Sequence, residues 1–370
     1  MNGSRASDSR AARRQRQILS GTLSVLLSVA FAPGTALAQK EGLASACAGC
    51  HSKEAASEPL TPMGRALELP GSGSSLASHP KLTFHKGQYT YIVETRGGKS
   101  SYTVTDGVHF TTLPIQWSFG EGAQTWVLDR DGEFYESLVS YYPSINGLDV
   151  TTGDEGLRPV TLEEAIGRKL SKTEVSACFG CHATNAASNG KLNLQTAEPG
   201  VRCQHCHTGL ESHLISEAMS GVDLESAPPS LSRLNAEEIS KFCGQCHRTW
   251  EIVVRSGWRG ESNVRFQPYR LANSKCFDGT DPRISCVACH DPHQTVVRNE
   301  ASYDAKCLAC HAVSGLDDAP QSHTSAAKVC PVAKSKCVSC HMPRVRLPNG
   351  LMAFYDHEIR IVKPGEPYPN

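Results

Sequence analysis

The pattern of apolar and polar positions predicts strands in the first half of this chain. Residues 81–110 alternate β-branched or aromatic residues with polar ones, and the segment RGGK at 96–99 interrupts the alternation as a hairpin turn does. The pattern resumes in three further runs, at residues 115–119, 124–129 and 133–142. The segment DRDG at 129–132 supplies another turn. We therefore expect a small antiparallel β insertion at residues 79–150, near the N-terminus.

Residues 151–345 instead predict short helices joined by loops. The segments at 160–170 and 234–247 each begin with a residue that can cap a helix, Thr161 or Asn235, followed by acidic residues in the first turn. Proline and glycine interrupt the sequence between them, for example in EPGVR and LESAPPSLS. The expected fold class is irregular α+β, mainly short helices and loops with a β insertion. Residues 346–370 are expected to form a Pro-rich tail over the surface.

The N-terminus predicts export. Five arginines within residues 5–16 precede an apolar run at 18–31, and Ala36-Leu37-Ala38 offers a cleavage site. A retained membrane anchor is the alternative, but the apolar run is shorter than the ~20 residues that a spanning helix needs. Residues 1–38 are therefore interpreted as a signal peptide. The mature protein is expected in the periplasm or outside the cell, with no transmembrane anchor.

The string Cys-x-x-Cys-His occurs seven times, far more often than the Cys and His content would produce by chance. The seven copies, numbered here as motifs one to seven, consist of Cys47, Cys50 and His51; Cys178, Cys181 and His182; Cys203, Cys206 and His207; Cys243, Cys246 and His247; Cys286, Cys289 and His290; Cys307, Cys310 and His311; and Cys337, Cys340 and His341. Motif one lies alone in residues 39–78, and the other six lie within residues 151–345.

Three kinds of site use such a string: a redox dithiol, half of a zinc site, or the attachment point of a c-type haem. A redox dithiol needs only one copy, and a zinc site has no need of His directly after the second Cys each time. Haem c accounts for every element, because both thiols bind the porphyrin covalently and the adjacent His becomes the proximal iron ligand. We predict seven covalently attached haems c. Since aromatic residues make up only 6% of the chain, we expect the haems to form its core and folding to require them.

Each haem iron has a second axial position, and the seven proximal histidines leave eight others, of which His205 is a variable residue inside motif three. His290 and His293 cannot bind opposite faces of one haem, because three residues span at most ~10–11 Å and the two Cα atoms would need to be on the order of 12 Å apart. We expect His293 to bind a neighbouring haem, with a solvent-facing His in a turn as the alternative. The other candidate distal ligands are His85, His213, His323 and His357, with His79, His109 and His205 as weaker ones. For the first haem, Met63, His79, His85, His109 and an open position remain alternatives.

Charge and the two remaining cysteines bear on partners and stability. The chain has 37 basic and 37 acidic residues, and loss of residues 1–38 removes five Arg and one Asp, which leaves a net charge of about −4. Haem propionates would add negative charge, which argues against nucleic acid and for redox partner proteins with a basic docking surface. Self-association is the other interaction considered. Cys276 and Cys330 are expected to form a disulfide, with two free thiols as the alternative.

Several segments together resemble a known family. They include PMGRA, FHKGQYTY, CQHCHTGLESH, CVACHDPH and CVSCHMP with a downstream DHEIR. In this order they are similar to periplasmic multihaem c-type cytochromes of the superfamily that contains the nitrifiers' tetrahaem cytochrome and octahaem hydroxylamine oxidoreductase, over residues 43–362. The resemblance implies electron transfer through stacked bis-His haems, with distal ligands at His213, His293, His323 and His357. The segment FGEGAQTW lacks a His that some relatives have there.

Two functions remain open. The leading one is an electron carrier rather than an enzyme, because six-coordinate iron leaves no position for a substrate. The alternative is a reductase or oxidase of a small nitrogen or sulfur compound at one five-coordinate haem. In a third interpretation, the β insertion serves mainly for docking or assembly, which fits either function.

Overall fold

The computed structural model describes residues 47–71, 74–210, 213, 230–311, 330–363 and 365–369. Its α-helices are short, and most lie in the second half of the chain. They span Ser52–Ser57, Leu162–Ile166, Lys172–His182, Cys203–Cys206, Ala236–His247, Trp250–Ser256, Gln267–Ala272, Cys286–Cys289, Asp304–His311 and Cys337–His341. Single 3-10 turns occur at Glu58–Leu60, Ser75–Ser78, Leu231–Arg233, Glu261–Arg265 and Glu300–Tyr303.

Most of the longer strands lie between the first motif and the second. They are β1 (Leu67–Glu68), β2 (Lys81–Lys86), β3 (Tyr89–Arg96), β4 (Lys99–Thr105), β5 (Phe110–Ile115), β6 (Trp117–Phe119), β7 (Thr125–Arg130), β8 (Glu133–Ser137), β9 (Val139–Tyr142), β10 (Gly147–Val150) and β11 (Gly167–Leu170). Six short ones follow: β12 (Ala183–Thr184), β13 (Ala187–Ser188), β14 (Lys191–Leu192), β15 (Glu198–Pro199), β16 (Arg344–Arg346) and β17 (Ala353–Tyr355). The fold class is α+β with several small antiparallel sheets, as the sequence predicted.

The strands before residue 171 form two main antiparallel sheets. One is a four-stranded meander in the order β2-β3-β4-β5, and the other has five strands in the order β1-β6-β7-β8-β11. Both predicted hairpin turns are confirmed. Gly97 and Gly98 have φ of 56° and 74° between β3 and β4, and Asp131 and Gly132 have φ of 56° and 83° between β7 and β8. Positive φ at both turn residues is what a two-residue hairpin requires.

The strands β1 to β11 make up a β region at residues 67–170, which extends beyond the predicted insertion at 79–150 on both sides. Strand β1 precedes residue 79, and β11 follows residue 150. The predicted helix at 160–170 is therefore only partly right: it begins after its predicted cap Thr161 but ends at Ile166. Gly167 has φ of 145°, and a Cβ there would lie 1.9 Å from the Glu136 carbonyl oxygen on β8. Only glycine permits the chain to pair so closely at this position, so the helix gives way to a strand.

The β region has a conventional apolar core, whereas the rest of the described chain does not. Trp126, Tyr91, Tyr102 and Leu128 are at most 1% exposed and belong to a large buried cluster shared by both main sheets. Beyond Ala186, the described residues contribute only one small buried apolar cluster, formed by Val253, Phe266 and Tyr269. Close packing of apolar side chains is therefore found mainly in the β region.

Capping side chains define where two motif-bearing helices begin. The side chain of Ser171 caps Lys172–His182, and that of Asn235 caps Ala236–His247, each in a reciprocal pair with a Glu three residues later. The cap predicted at Asn235 is confirmed. The first of these helices ends at His182 of motif two, and the other ends at His247 of motif four. Local capping signals thus determine where the helices that carry motifs two and four begin.

Three predictions made from the sequence fall on residues outside the described ranges. They concern the signal peptide at 1–38, His323, and part of the segment 39–78. Among the described residues, no helix combines the length and the apolar character needed to cross a membrane.

Candidate functional site

One cavity of about 4020 Å³ brings the seven motifs together. Every motif contributes its His and at least one Cys to the wall, and only Cys178 of the motif residues is not part of the lining. Divided among seven motifs the cavity gives about 570 Å³ each, within the ~300–1,000 Å³ that single ligand pockets occupy. The space and its lining are therefore compatible with covalently attached haem groups.

The motif thiols contact one another in a connected series. Close pairs of thiols, in which one perturbs the pKa of the other, join motifs one and three (Cys47 and Cys203), two and four (Cys181 and Cys246), four and five (Cys243 and Cys286), and six and seven (Cys307 and Cys337). Cys243 lies close enough to Cys206, and Cys307 to Cys289, to raise the pKa of Cys206 and of Cys289 by Coulomb repulsion, in addition to the larger effect of burial. The series therefore runs one, three, four, five, six, seven, with motif two attached to motif four.

Three cavity histidines donate their Nδ1 proton to a backbone carbonyl. His182 donates to Ala66 O at 2.9 Å, His341 to Arg360 O at 2.9 Å and His357 to Tyr355 O at 3.0 Å. A carbonyl can only accept, so Nδ1 carries the proton and Nε2 keeps its lone pair. This is the arrangement that orients a metal-binding histidine.

Desolvation keeps two of these histidines neutral. Burial lowers the pKa of His182 and lowers that of His357 to about 4. At neutral pH both imidazoles are therefore uncharged, which is the form that binds a metal ion.

Two pairs of imidazoles face each other across the cavity. The ring centres of His207 and His293 are 6.0 Å apart with an interplanar angle of 7°, and those of His290 and His357 are 6.2 Å apart at 45°. His293 Nδ1 lies 3.2 Å from Asp291 Oδ1, and His290 Nδ1 lies 3.5 Å from the Tyr303 hydroxyl. Hydrogen bonds at Nδ1 leave Nε2 of both rings available, as in the carbonyl-bonded histidines.

Other predicted ligands also line the cavity. Met63, His205 and His213 are in its wall, and Nδ1 of His213 is buried without a hydrogen-bond partner. Burial lowers the pKa of His205. All three side chains therefore lie in the same cavity as the motif residues.

Three predicted candidates lie outside the cavity lining. His85 is on β2, where its Nδ1 is 2.9 Å from the Thr90 hydroxyl. His79 Nε2 is 2.9 Å from the Tyr141 hydroxyl, and His109 is an exposed residue bonded to Asp106 in a hairpin turn. Each is engaged in the β region, so the structure does not bring them together with the motifs.

The C-terminal tail runs largely over the surface, as its composition predicted, but it is held by one buried ion pair that composition did not predict. Asp356 is fully buried and bonded bidentately to Arg270, which is 1% exposed, with distances of 2.8 and 3.0 Å. Burial of this ion pair holds the tail against the helix Gln267–Ala272. Sequence reasoning missed Arg270, because nothing in the local pattern distinguishes a buried arginine from an exposed one.

The expected disulfide is not formed, since Cys276 and Cys330 are both free. Cys276 lies near Cys307 and Cys310, whose charges raise its pKa in addition to the larger effect of burial. The backbone N–H groups of residues 333 and 332 instead bond to the Cys330 thiol and lower its pKa. Each thiol thus has a different environment.

No group of three or more His, Cys, Asp or Glu in the described ranges is arranged to hold a metal ion directly. The donors come instead as thiol pairs and single or paired imidazoles around a large cavity, which is the donor set of haem c rather than of zinc.

Comparison with known proteins gives one family match. Residues 157–208, which include motifs two and three, match the family model of cytochrome c554 and c-prime. The match and the motifs support a multihaem c-type cytochrome. A solved structure, the outer cell wall cytochrome OcwA, aligns with a TM-score of 0.43 and 15% identity over 86% of this chain and 79% of that one. The search of curated proteins found no match.

Proposed function

We propose that this chain is an exported heptahaem c-type cytochrome that transfers electrons through closely spaced, mostly bis-His haems. Each motif supplies two thiols for covalent attachment and one proximal His, and all seven line the same cavity. Haem iron supplies one-electron redox chemistry when bound. The protein's part is to hold the groups close together and to fix both axial ligands.

The two imidazole pairs carry this proposal. Histidine nitrogen binds a transition metal at about 2 Å and the ring centre lies about 1 Å further out, so two histidines on opposite sides of one iron have ring centres about 6 Å apart. The observed separations of 6.0 and 6.2 Å fit that arrangement. We therefore assign His293 as distal ligand opposite His207 of motif three, and His357 opposite His290 of motif five.

This assignment answers why two histidines stand three positions apart in the segment CHDPH. His290 and His293 serve two different haems, those of motifs five and three, as the short span between the two residues requires. One loop then fixes the relative position of two haems. The proximity of the motif thiols supports a position for motif four between these two, so that the same loop would bound a group of three haems.

The alternative function is a multihaem reductase or oxidase, and one observation favours it. Of the four candidates for the distal position of the first haem, His79, His85 and His109 lie outside the cavity lining, which leaves Met63. If Met63 does not bind, that haem has an open position at which a small nitrogen or sulfur compound could react.

Electron paramagnetic resonance of the oxidised protein separates the two functions. The carrier predicts ferric signals that are entirely low-spin and unchanged by cyanide. A high-spin signal from about one haem in seven that disappears with cyanide would instead support the enzyme.

Histidine variants test the ligand assignment itself. We expect His293→Ala and His357→Ala each to convert one haem to high-spin, because each loses a sixth ligand. His85→Ala is the matched control and should leave the spectrum as it is. A high-spin signal in His85→Ala, or none in the other two, would contradict the assignment.

The same proposal extends to location and partners. Export to the periplasm or cell exterior is supported by the sequence of residues 1–38. The negative charge of the mature chain and its haem propionates favours redox partners with a basic docking surface, and self-association would lengthen the electron path.

A further inference from the structure

The segment Tyr355–Arg360 contacts two different axial histidines. The Tyr355 carbonyl accepts from Nδ1 of His357, within the segment, and the Arg360 carbonyl accepts from Nδ1 of His341 in motif seven. The backbone N–H of Arg360 also donates to the carbonyl of His341 at 3.2 Å. The position of this one segment therefore determines the orientation of both rings.

A buried ionic network holds the segment in place. Arg270 donates to Asp356 through Nε and Nη2, and Arg360 Nη1 lies 2.7 Å from Asp356 Oδ2. Glu358 forms a second ion pair with Arg270. The Arg270 guanidinium also stacks over the Tyr368 ring, with Cζ 4.6 Å from its centre.

A serine from the same part of the chain adds a further constraint. The Ser274 hydroxyl donates to the His357 carbonyl at 2.9 Å and accepts from the Ile359 N–H at 2.8 Å. Backbone on both sides of Glu358 is thus fixed by side chains of residues 270–274. None of these contacts touches the cavity histidines' Nε2 atoms, so they act on the ligands only through the segment.

We propose that the Arg270–Asp356–Arg360 network is a positioning device that sets the axial ligands of two haems together, those of motifs five and seven. It holds His357 opposite His290 and orients His341 through the Arg360 carbonyl. The inference rests on the proposed function, since it requires haems at these motifs. Hydrogen bonds to the non-binding nitrogen tune the basicity of a metal-bound histidine, so the network affects redox potential as well as geometry.

The test compares Arg270→Met with a matched control, Arg168→Met, in the purified haem-loaded protein. Arg168 lies on β11 and also pairs with carboxylates, those of Glu136 on β8 and Glu174 in the helix of motif two. Arg270→Met is expected to give the high-spin signal of His357→Ala and, in addition, to shift the midpoint potential of a second haem. Arg270→Lys, which keeps the charge without the bidentate geometry, should restore part of the low-spin signal. Arg168→Met should match the native spectrum.

Ser274→Ala covers the case in which Arg270→Met does not fold, because it removes the two hydrogen bonds of the Ser274 hydroxyl and leaves the ion pairs. It is expected to shift the potential of the motif-five haem with all seven haems present. Native spectra and potentials in both folded variants would overturn the proposal. So would haem loss in Arg270→Met with native behaviour in Ser274→Ala, since that indicates a role in folding alone. If His357→Ala itself stays low-spin, it is the ligand assignment under the proposed function that fails.

Discussion

The β region and the motif region of this chain are stabilised in different ways. Residues 67–170 form two main sheets and the β9-β10 hairpin around a core whose largest members, Trp126, Tyr91 and Tyr102, are at most 1% exposed. The motif region instead surrounds a cavity of about 4020 Å³ and has few buried apolar clusters of its own. Protein interiors are otherwise close-packed, so a cavity of this size implies that something other than side chains completes the core.

The contact between the two regions shows how they depend on each other. Phe179, between the two cysteines of motif two, packs edge-on against Phe119 of β6 with ring centres 5.0 Å apart. His182 of the same motif bonds to the carbonyl of Ala66, next to β1. Motif two is thus held against the sheets. We infer that the β region fixes the position of motif two relative to the sheets.

The largest expected effect is that of withholding haem. A chain produced without haem attachment should keep its sheets and lose the fold of the motif region, because only the former has its own core. Hydrogen exchange should find protected amides in β3, β4 and β7 and rapid exchange in residues 236–311. Equal protection of amides in both regions would show that the two regions do not differ in their need for haem.

Removing a large side chain from the core of the sheets should have the second largest effect. This effect should be confined to the β region. Trp126→Ala is expected to destabilise the protein by about 3–5 kcal/mol, since it removes a fully buried aromatic side chain. Denaturant titration of the haem-loaded protein measures the change. Phe110→Ala, at a side chain that is 71% exposed, is the control and should change stability by no more than about 0.5 kcal/mol. The low-spin haem spectrum before unfolding should be the same in both.

The smallest effect concerns a buried carboxyl in the β region. Burial, aided by the charge of Glu136, raises the pKa of Asp154 from 3.8 to about 6, and its Oδ2 has no hydrogen-bond partner. Between pH 3.8 and about 6 the folded state binds more protons than the unfolded state, so stability falls as pH rises through this window. Above it the cost is constant, at most about 3 kcal/mol.

Asp154→Asn is therefore expected to raise the melting temperature at pH 8 and to give little gain at pH 4. Melting curves at the two pH values measure the difference. A gain that is equal at both would show that the charge of Asp154 is not its cause.

The sequence predicted those features that depend on local chemistry. Turn residues, which have positive φ in the structure, marked both hairpins, and capping side chains marked two helix starts. The Cys-x-x-Cys-His spacing marked the motif residues, nearly all of which line the cavity. Each of these signals lies within a few residues of the feature it determines, so one sequence is enough to read it.

What the sequence could not supply depends on contacts between distant segments. Strand β11 exists because Gly167 fits against β8, and the tail is held in place at Asp356 because Arg270 meets it there. His85 and His357 were both candidate ligands, yet only His357 lies in the cavity. Periodicity and spacing say nothing about which of two histidines the chain brings to a given place.

The count of covalent haems tests the account most directly. Mass spectrometry of the mature protein, followed by identification of the modified peptides, should give seven haems, one on each Cys-x-x-Cys-His motif. An unmodified chain, or one that instead carries bound zinc, would contradict the account.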